Sequence, residues 1–426
     1  MIKRLFAIIL FCLLLPSPTE AQDDTPAVPT LGALHIIPHA EMLIGAQWAA
    51  DNSAVLTWAA DARLRRYDPV TGELLRQTTL AFAPQGLVLT PDTARLAIWN
   101  GAQLAVQPSR GAGTLNLFQA PTPVTGAHWQ PDGRRLWTWH PDGALIGWDV
   151  GPAQQPTIAV RIEHSHPIAN ATWHPDGRAA ILGSWSGVGA IVDFETQVVT
   201  PFSQQTGALV GGVWVGEQAV SWGWDGSLWE QPGGRINARV QSTARLWDAQ
   251  VIGADILTPT AGNALLVWDT ATLQPRASLD HDDRVTGFSS AAGLVLTTSQ
   301  DGTARLWGAA SAALTLSYTH GVAVRGGALS HDGTRLWTLA EDNTLRLFIV
   351  PGVDDCYVTA PANVNQRETP STRGAFIETL TAYTSAVVGG ATTGGQGFRW
   401  WQLENGAWVR EDVVLALPAC DALSLN

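Results

Sequence analysis

Lysine is almost missing from this chain. In 426 residues it occurs once, at Lys3, and every later basic residue is arginine. That removes lysine Schiff-base chemistry and the lysine of a phosphate-cradling loop from the body of the protein. Charged residues make up only 15%, no run of Lys or Arg occurs, and the net charge is −12. Binding nucleic acid requires clustered cations that displace phosphate counterions, so no nucleic-acid partner is expected. Cysteine is limited to Cys12, Cys356 and Cys420, without a Cys-x-x-Cys spacing, and such a set writes no zinc site. The apolar run at residues 5–15 is about half of what a membrane span needs.

That short run has a different meaning. Lys3 and Arg4 precede it, and residues 16–21 follow as a polar stretch with small residues at Thr19 and Ala21. This is the layout of a secretory signal peptide over residues 1–21, cleaved after Ala21; an uncleaved anchor is the alternative. Cleavage leaves no transmembrane span. It also removes Cys12 and leaves Cys356 and Cys420, an even pair in an oxidising compartment, as an expected disulfide. The expected location is outside the cytoplasm, secreted or in the cell envelope.

What is abundant is hydrophobic residues, 46% of the chain, and tryptophan, 20 of them. Strand ends of one type recur at Tyr67-Asp68, Val106-Gln107, Trp148-Asp149, Val192-Asp193, Trp229-Glu230, Trp268-Asp269, Trp307-Gly308 and Phe348-Ile349. Each closes a unit of about 40 residues built of short alternating runs, joined in several units by Asp-Gly turns, the pattern of four-stranded propeller blades. STARLWD at residues 242–248 stands too close to the next unit to be another blade and reads as the first strand of the sixth. The eighth unit lacks a fourth strand, and LHII at residues 34–37 is an orphan before the first. Donating it to the last blade closes the ring and pairs two open edges.

QDGTARLWG, PDGALIGWD, GNALLVWDT and the turns at Pro131, Pro175 and His331 together resemble the WD-repeat family over about three quarters of the chain. The resemblance implies an all-β propeller over residues 34–352, after a linker at 22–33, with eight blades or the family's usual seven. The family's Gly-His dipeptide is mostly missing. Only His281 and His320 stand near its place, which implies an incomplete hydrogen-bond network in most blades.

After Pro351 the period stops. Residues 355–422 alternate β-branched runs with Gly-rich turns, as expected for a small barrel of five or six strands. The order of Asn365, Arg367, Pro370, Trp400, Trp401 and Trp408 resembles bacterial SH3-like (SH3b) domains, although Glu368-Thr369 replaces the usual Ser-Gly before the proline. The resemblance implies cell-wall or peptide binding, with Arg367, Trp400, Trp401 and Trp408 as contacts; barrel core is the other role open to the tryptophans.

Catalytic signatures are not found. GSWSG at residues 183–187 does not center a serine as a nucleophile elbow would. His164 with His166, and His35 with His39, lack a third metal ligand, and DHDD at 280–283 lacks a glycine-punctuated calcium loop. No cofactor or metal is called for. YDPVTGELL at residues 67–75, echoed by WDTATLQ at 268–274, has some flavour of eight-bladed quinone-dependent dehydrogenases, which form the alternative to a non-enzymatic reading.

Tryptophans fall at repeated positions. Trp48, Trp129, Trp173 and Trp214 end first strands, and Trp58, Trp99, Trp139, Trp185 and Trp222 end second strands of five consecutive blades. The second set is either an aromatic rim that stacks on sugars or anchors a protein, or packing between blades. The expectation is a secreted, non-enzymatic binding or scaffold protein. Its propeller presents a protein- or glycan-binding face, and its C-terminal module targets it to the cell wall or to a peptide.

Overall fold

The computed structural model describes residues 28–110, 114–151, 155–203, 207–231, 236–239, 246, 248–352, 354–394 and 397–423. The signal-peptide reading at 1–21 lies outside them. Eight antiparallel blades follow in chain order, at 43–79, 86–119, 126–163, 170–202, 209–239, 250–280, 285–319 and 324–349. The third is representative: Gly126–Trp129, Arg135–Trp139, Ala144–Asp149 and Thr157–Glu163 pair in sequence order. First strands of successive blades abut around the axis, as Leu209–Val215 does against Asn170–Trp173. The orphan strand, His35–Pro38, pairs antiparallel with Thr344–Ile349 and supplies the fourth strand of blade 8. Of the STARLWD stretch only Leu246 and Asp248 are described; Leu246 bridges Thr260 and so continues the first strand of blade 6, Gln250–Ile252.

The turns explain the local sequence. In the PDG turns Gly133, Gly143 and Gly177 take φ of 67°, 89° and 76°, a region costly for residues with a Cβ. The preceding Asp accepts the N–H two residues on, Asp132 from Arg134 at 2.9 Å and Asp142 from Ala144 at 3.1 Å, an Asx turn that favours chain reversal. The Asp ending some third strands works likewise. Asp68 accepts from Val70 and Thr71, and Asp269 from Ala271 and Thr272, so YDPVTGELL and WDTATLQ form the same reversal.

Blade 7 carries a complete side-chain chain through its core. His281 Nδ1 meets Asp301 at 2.9 Å, and its Nε2 meets Thr297 Oγ1 at 2.7 Å. Trp307 Nε1 donates to that same hydroxyl at 2.8 Å. Burial alone would raise Asp301, but bonds from His281, Thr303 and the Asp282 N–H outweigh it and hold the carboxyl well below the usual range. Blade 8 keeps His320 with Thr338 at 2.7 Å but has Phe348 in the tryptophan position. Blade 3 recruits His140 from its own turn to Thr138, which also receives Trp148 Nε1.

Of the expected linker at 22–33, residues 22–27 lie outside the described residues, and the described end is structured. Thr30–Leu31 adds to blade 7 as a fifth, parallel strand, and Gly32 N–H reaches Thr359 and Ser385 of the C-terminal module. Ala33 then bridges Thr384 before the chain enters blade 8. Leu31 and Ala33 are fully buried in a core shared by blades 7 and 8 and the module, and this burial draws the segment out of solvent. The module is one antiparallel sheet of seven short strands, where five or six were expected, with Phe376–Leu380 and Leu415–Ala416 at its ends. Cys356 and Cys420 are disulfide-bonded across it. Among the described residues no helix is long and apolar enough to cross a membrane.

Candidate functional site

Three of the four first-strand tryptophans staple neighbouring blades. Trp48 Nε1 donates to Ala328 of blade 8, Trp129 to Val88 of blade 2 and Trp214 to Thr172 of blade 4, at 3.1–3.2 Å. Each bond spans to the preceding blade, so these rings pack the wedge and satisfy their own N–H.

The second-strand set divides. Trp58, Trp99, Trp139 and Trp222 are the cross-strand partners of Gly45, Gly86, Gly126 and Gly211. Each indole occupies the space that a Cβ on its glycine would take. Trp99 and Trp222 are buried and Trp58 and Trp139 half-buried, so a continuous open rim of these rings does not exist. Desolvation by the surrounding blades forces this: a ring beside a glycine finds an apolar slot and fills it. Around Trp139 the slot extends into the blade 3–4 wedge, where His128 stacks on Trp173 at 4.3 Å. Burial there pushes His128 down to about 4.

Trp185 differs. The second strand of blade 4 ends at Gly183, which stands where blades 1, 2, 3 and 5 put tryptophan, and Trp185 projects from the turn beyond it. Its ring is 55% exposed and meets Trp224, 38% exposed, edge to face at 4.9 Å. Sequence reasoning passed over Trp224. The signal was available, since both rings stand two residues before a turn glycine, Gly187 and Gly226. The two turns belong to adjacent blades and open on the same face, which makes this pair an exposed aromatic ledge.

In the C-terminal module Asn363, Val364, Asn365, Arg367, Thr372, Trp400, Arg410 and Val413 enclose a cleft of about 260 Å³. Arg367 donates to Gly374 O at 3.2 Å, and Arg410 pairs with Asp412 while lying over the Phe398 ring. Trp400 is buried except for the edge it gives this cleft. Trp401 is 2% exposed and belongs to the core, capped by Arg399 at 4.6 Å, so it offers no ligand contact. Trp408 is half-buried and pairs across strands with Arg367.

The histidines weighed as ligands have protein partners. His164 Nδ1 meets His166 O, His35 Nε2 meets Val70 O, and His39 lies between Tyr67 and Thr57.

No protein-family model and no curated protein matches the sequence. Solved structures do share the fold. Sqt1 of Saccharomyces cerevisiae matches with a TM-score of 0.65 at 12% identity, over 76% of this chain and 100% of that one. The C-terminal WD40 domain of Sif2 matches with 0.63 at 13%, over 76% and 99%. The computationally designed Ika8 protein matches with 0.59 at 16%, over 75% and 100%. At these identities the likeness shows the fold, and that fold is an eight-bladed propeller of the WD40 type.

Proposed function

We propose that this chain is an exported, non-enzymatic binding protein. Its propeller presents a face to a protein or glycan, and its C-terminal module, which resembles bacterial SH3-like domains, holds it to the cell wall. The carrying observation is the exposed Trp185–Trp224 pair. Four of its neighbours in the tryptophan series are closed against glycines, whereas this pair leaves two ring faces in solvent at a real cost in hydration. Paired aromatics on a rigid scaffold suit stacking on sugar rings or anchoring a partner side chain. Propellers of this type typically serve as interaction scaffolds, which supports a binding role without assigning a ligand. The cleft at Asn365, Arg367 and Trp400 is the corresponding contact in the module.

Co-sedimentation of the mature full-length protein with purified peptidoglycan tests this reading. Point variants are the right tool, because removing the module would expose the core it shares with blades 7 and 8. Loss of pelleting in Asn365→Ala/Arg367→Ala alone assigns the wall to the module. Loss in Trp185→Ala/Trp224→Ala alone makes the propeller the glycan binder. A wild-type protein that stays in the supernatant defeats wall attachment.

A further inference from the structure

Arginine is scattered thinly along the sequence, yet the fold gathers three at one place. Arg66 lies on the third strand of blade 1, Arg76 directly opposite it on the fourth, and Arg110 beyond the third strand of blade 2. With Leu75 they line a cleft of about 380 Å³. Like charges set directly across a strand pair are destabilising, and here a third guanidinium faces them. Arg66 is only 14% exposed; it donates to Ser53 Oγ at 2.6 Å and stands 3.9 Å from Asp51. That carboxylate is 63% exposed and already accepts both the N–H and the hydroxyl of Ser53. Among the described residues neither Arg76 nor Arg110 has an ion pair. Burial, and after it the charge of Arg110, press the Arg66 guanidinium below its usual range. In a chain of net charge −12, such a concentration of one sign is no by-product of a generally basic surface.

We propose that the cleft between blades 1 and 2 is a binding site for a phosphate-type oxyanion, held by Arg66 at its floor and by Arg76 and Arg110 at its rim. Guanidinium forks match the oxygens of a tetrahedral anion, and charge-assisted bonds are the strong ones. Three cations around one cleft suit a single phosphate group; a nucleic-acid duplex would need a longer track. The cleft exceeds one phosphate in size, and Leu75 gives it an apolar wall, so a substituent on the phosphate has room.

The test is calorimetric titration of the full-length protein with inorganic phosphate, against chloride at matched ionic strength, with thermal melts in parallel. Saturable phosphate binding is expected, with affinity falling about tenfold or more in Arg76→Gln/Arg110→Gln. In phosphate-free buffer that variant is expected to melt no lower than wild type, since it loses only repulsion. Tighter binding of glycerol 3-phosphate than of phosphate supports the site with an ester group as its ligand; equal binding supports it with the free anion. Equal phosphate binding by wild type and variant, no binding by either, or a variant that melts well below wild type in phosphate-free buffer overturns the proposal.

Discussion

Trp139 fills the space that a Cβ on Gly126, its cross-strand partner, would occupy. The same pairing in blades 1, 2 and 5 makes glycine on the first strand a condition for tryptophan on the second. Gly126→Ala and Gly86→Ala should each destabilise the protein by about 1–3 kcal/mol through overpacking. Gly326→Ala is the control, because a Cβ there meets nothing within 4 Å. Urea unfolding of the three variants checks the difference.

Thr297 accepts Trp307 Nε1 and meets His281 with one hydroxyl. Thr297→Val leaves two buried nitrogens without a partner and should cost about 2–4 kcal/mol. Thr338→Val removes a partner only from His320, since Phe348 has no N–H, and should cost about half as much. Equal losses by denaturant titration would contradict the network described.

Two desolvated histidines, the half-buried His128 and the buried His320, make the protein acid-sensitive. Burial depresses His128 to about 4, and burial with Arg346 depresses His320 to about 3. The unfolded chain binds these protons near pH 6.5 and the folded chain does not. Their contribution is therefore complete above about pH 6.5 and is lost as the pH falls toward 4 and then 3. Tm should be flat from pH 8 to 7 and decline below 6.5, with a shallower decline in His128→Phe. An unchanged slope in that variant removes His128 from the account.

The Cys356–Cys420 bridge spans 64 residues of a small sheet. Reduction should cost about 4 kcal/mol or less on the chain-entropy scale. Because the module shares a core with blades 7 and 8, loosening should reach the Thr30–Leu31 strand. Hydrogen exchange with and without reductant checks this: faster exchange at Leu31 and Tyr318 is expected, and loss confined to residues 356–420 would show two uncoupled bodies.

Much of the propeller was legible because third-strand ends recur in every blade and Asp-Gly turns in five of them, and because Leu34–Ile37 had no other edge to pair. Ring closure followed from counting strands. The role of Thr30–Leu31 was hidden, since two residues carry no periodicity and their partner strand lies far along the chain. Trp185 was misaligned by two positions, because Gly183 holds the tryptophan place and only the pairing register reveals it. Trp401 and Trp400 are adjacent in sequence, and strand alternation sends one to the core and the other to the cleft edge. The arginine cleft was illegible for a related reason: its members come from two strands of blade 1 and a segment beyond a strand of blade 2.

The central claim is that the exposed pair, and none of the glycine-bound tryptophans, makes the contact. Tryptophan fluorescence titrated with solubilised peptidoglycan fragments tests it most directly in full-length protein carrying Asn365→Ala/Arg367→Ala, which removes the module's own contact, comparing added Trp185→Ala/Trp224→Ala with added Trp58→Ala. A saturable change that survives added Trp58→Ala and vanishes with added Trp185→Ala/Trp224→Ala, at unchanged Tm, is the predicted result. A change that persists undiminished with added Trp185→Ala/Trp224→Ala would contradict the account.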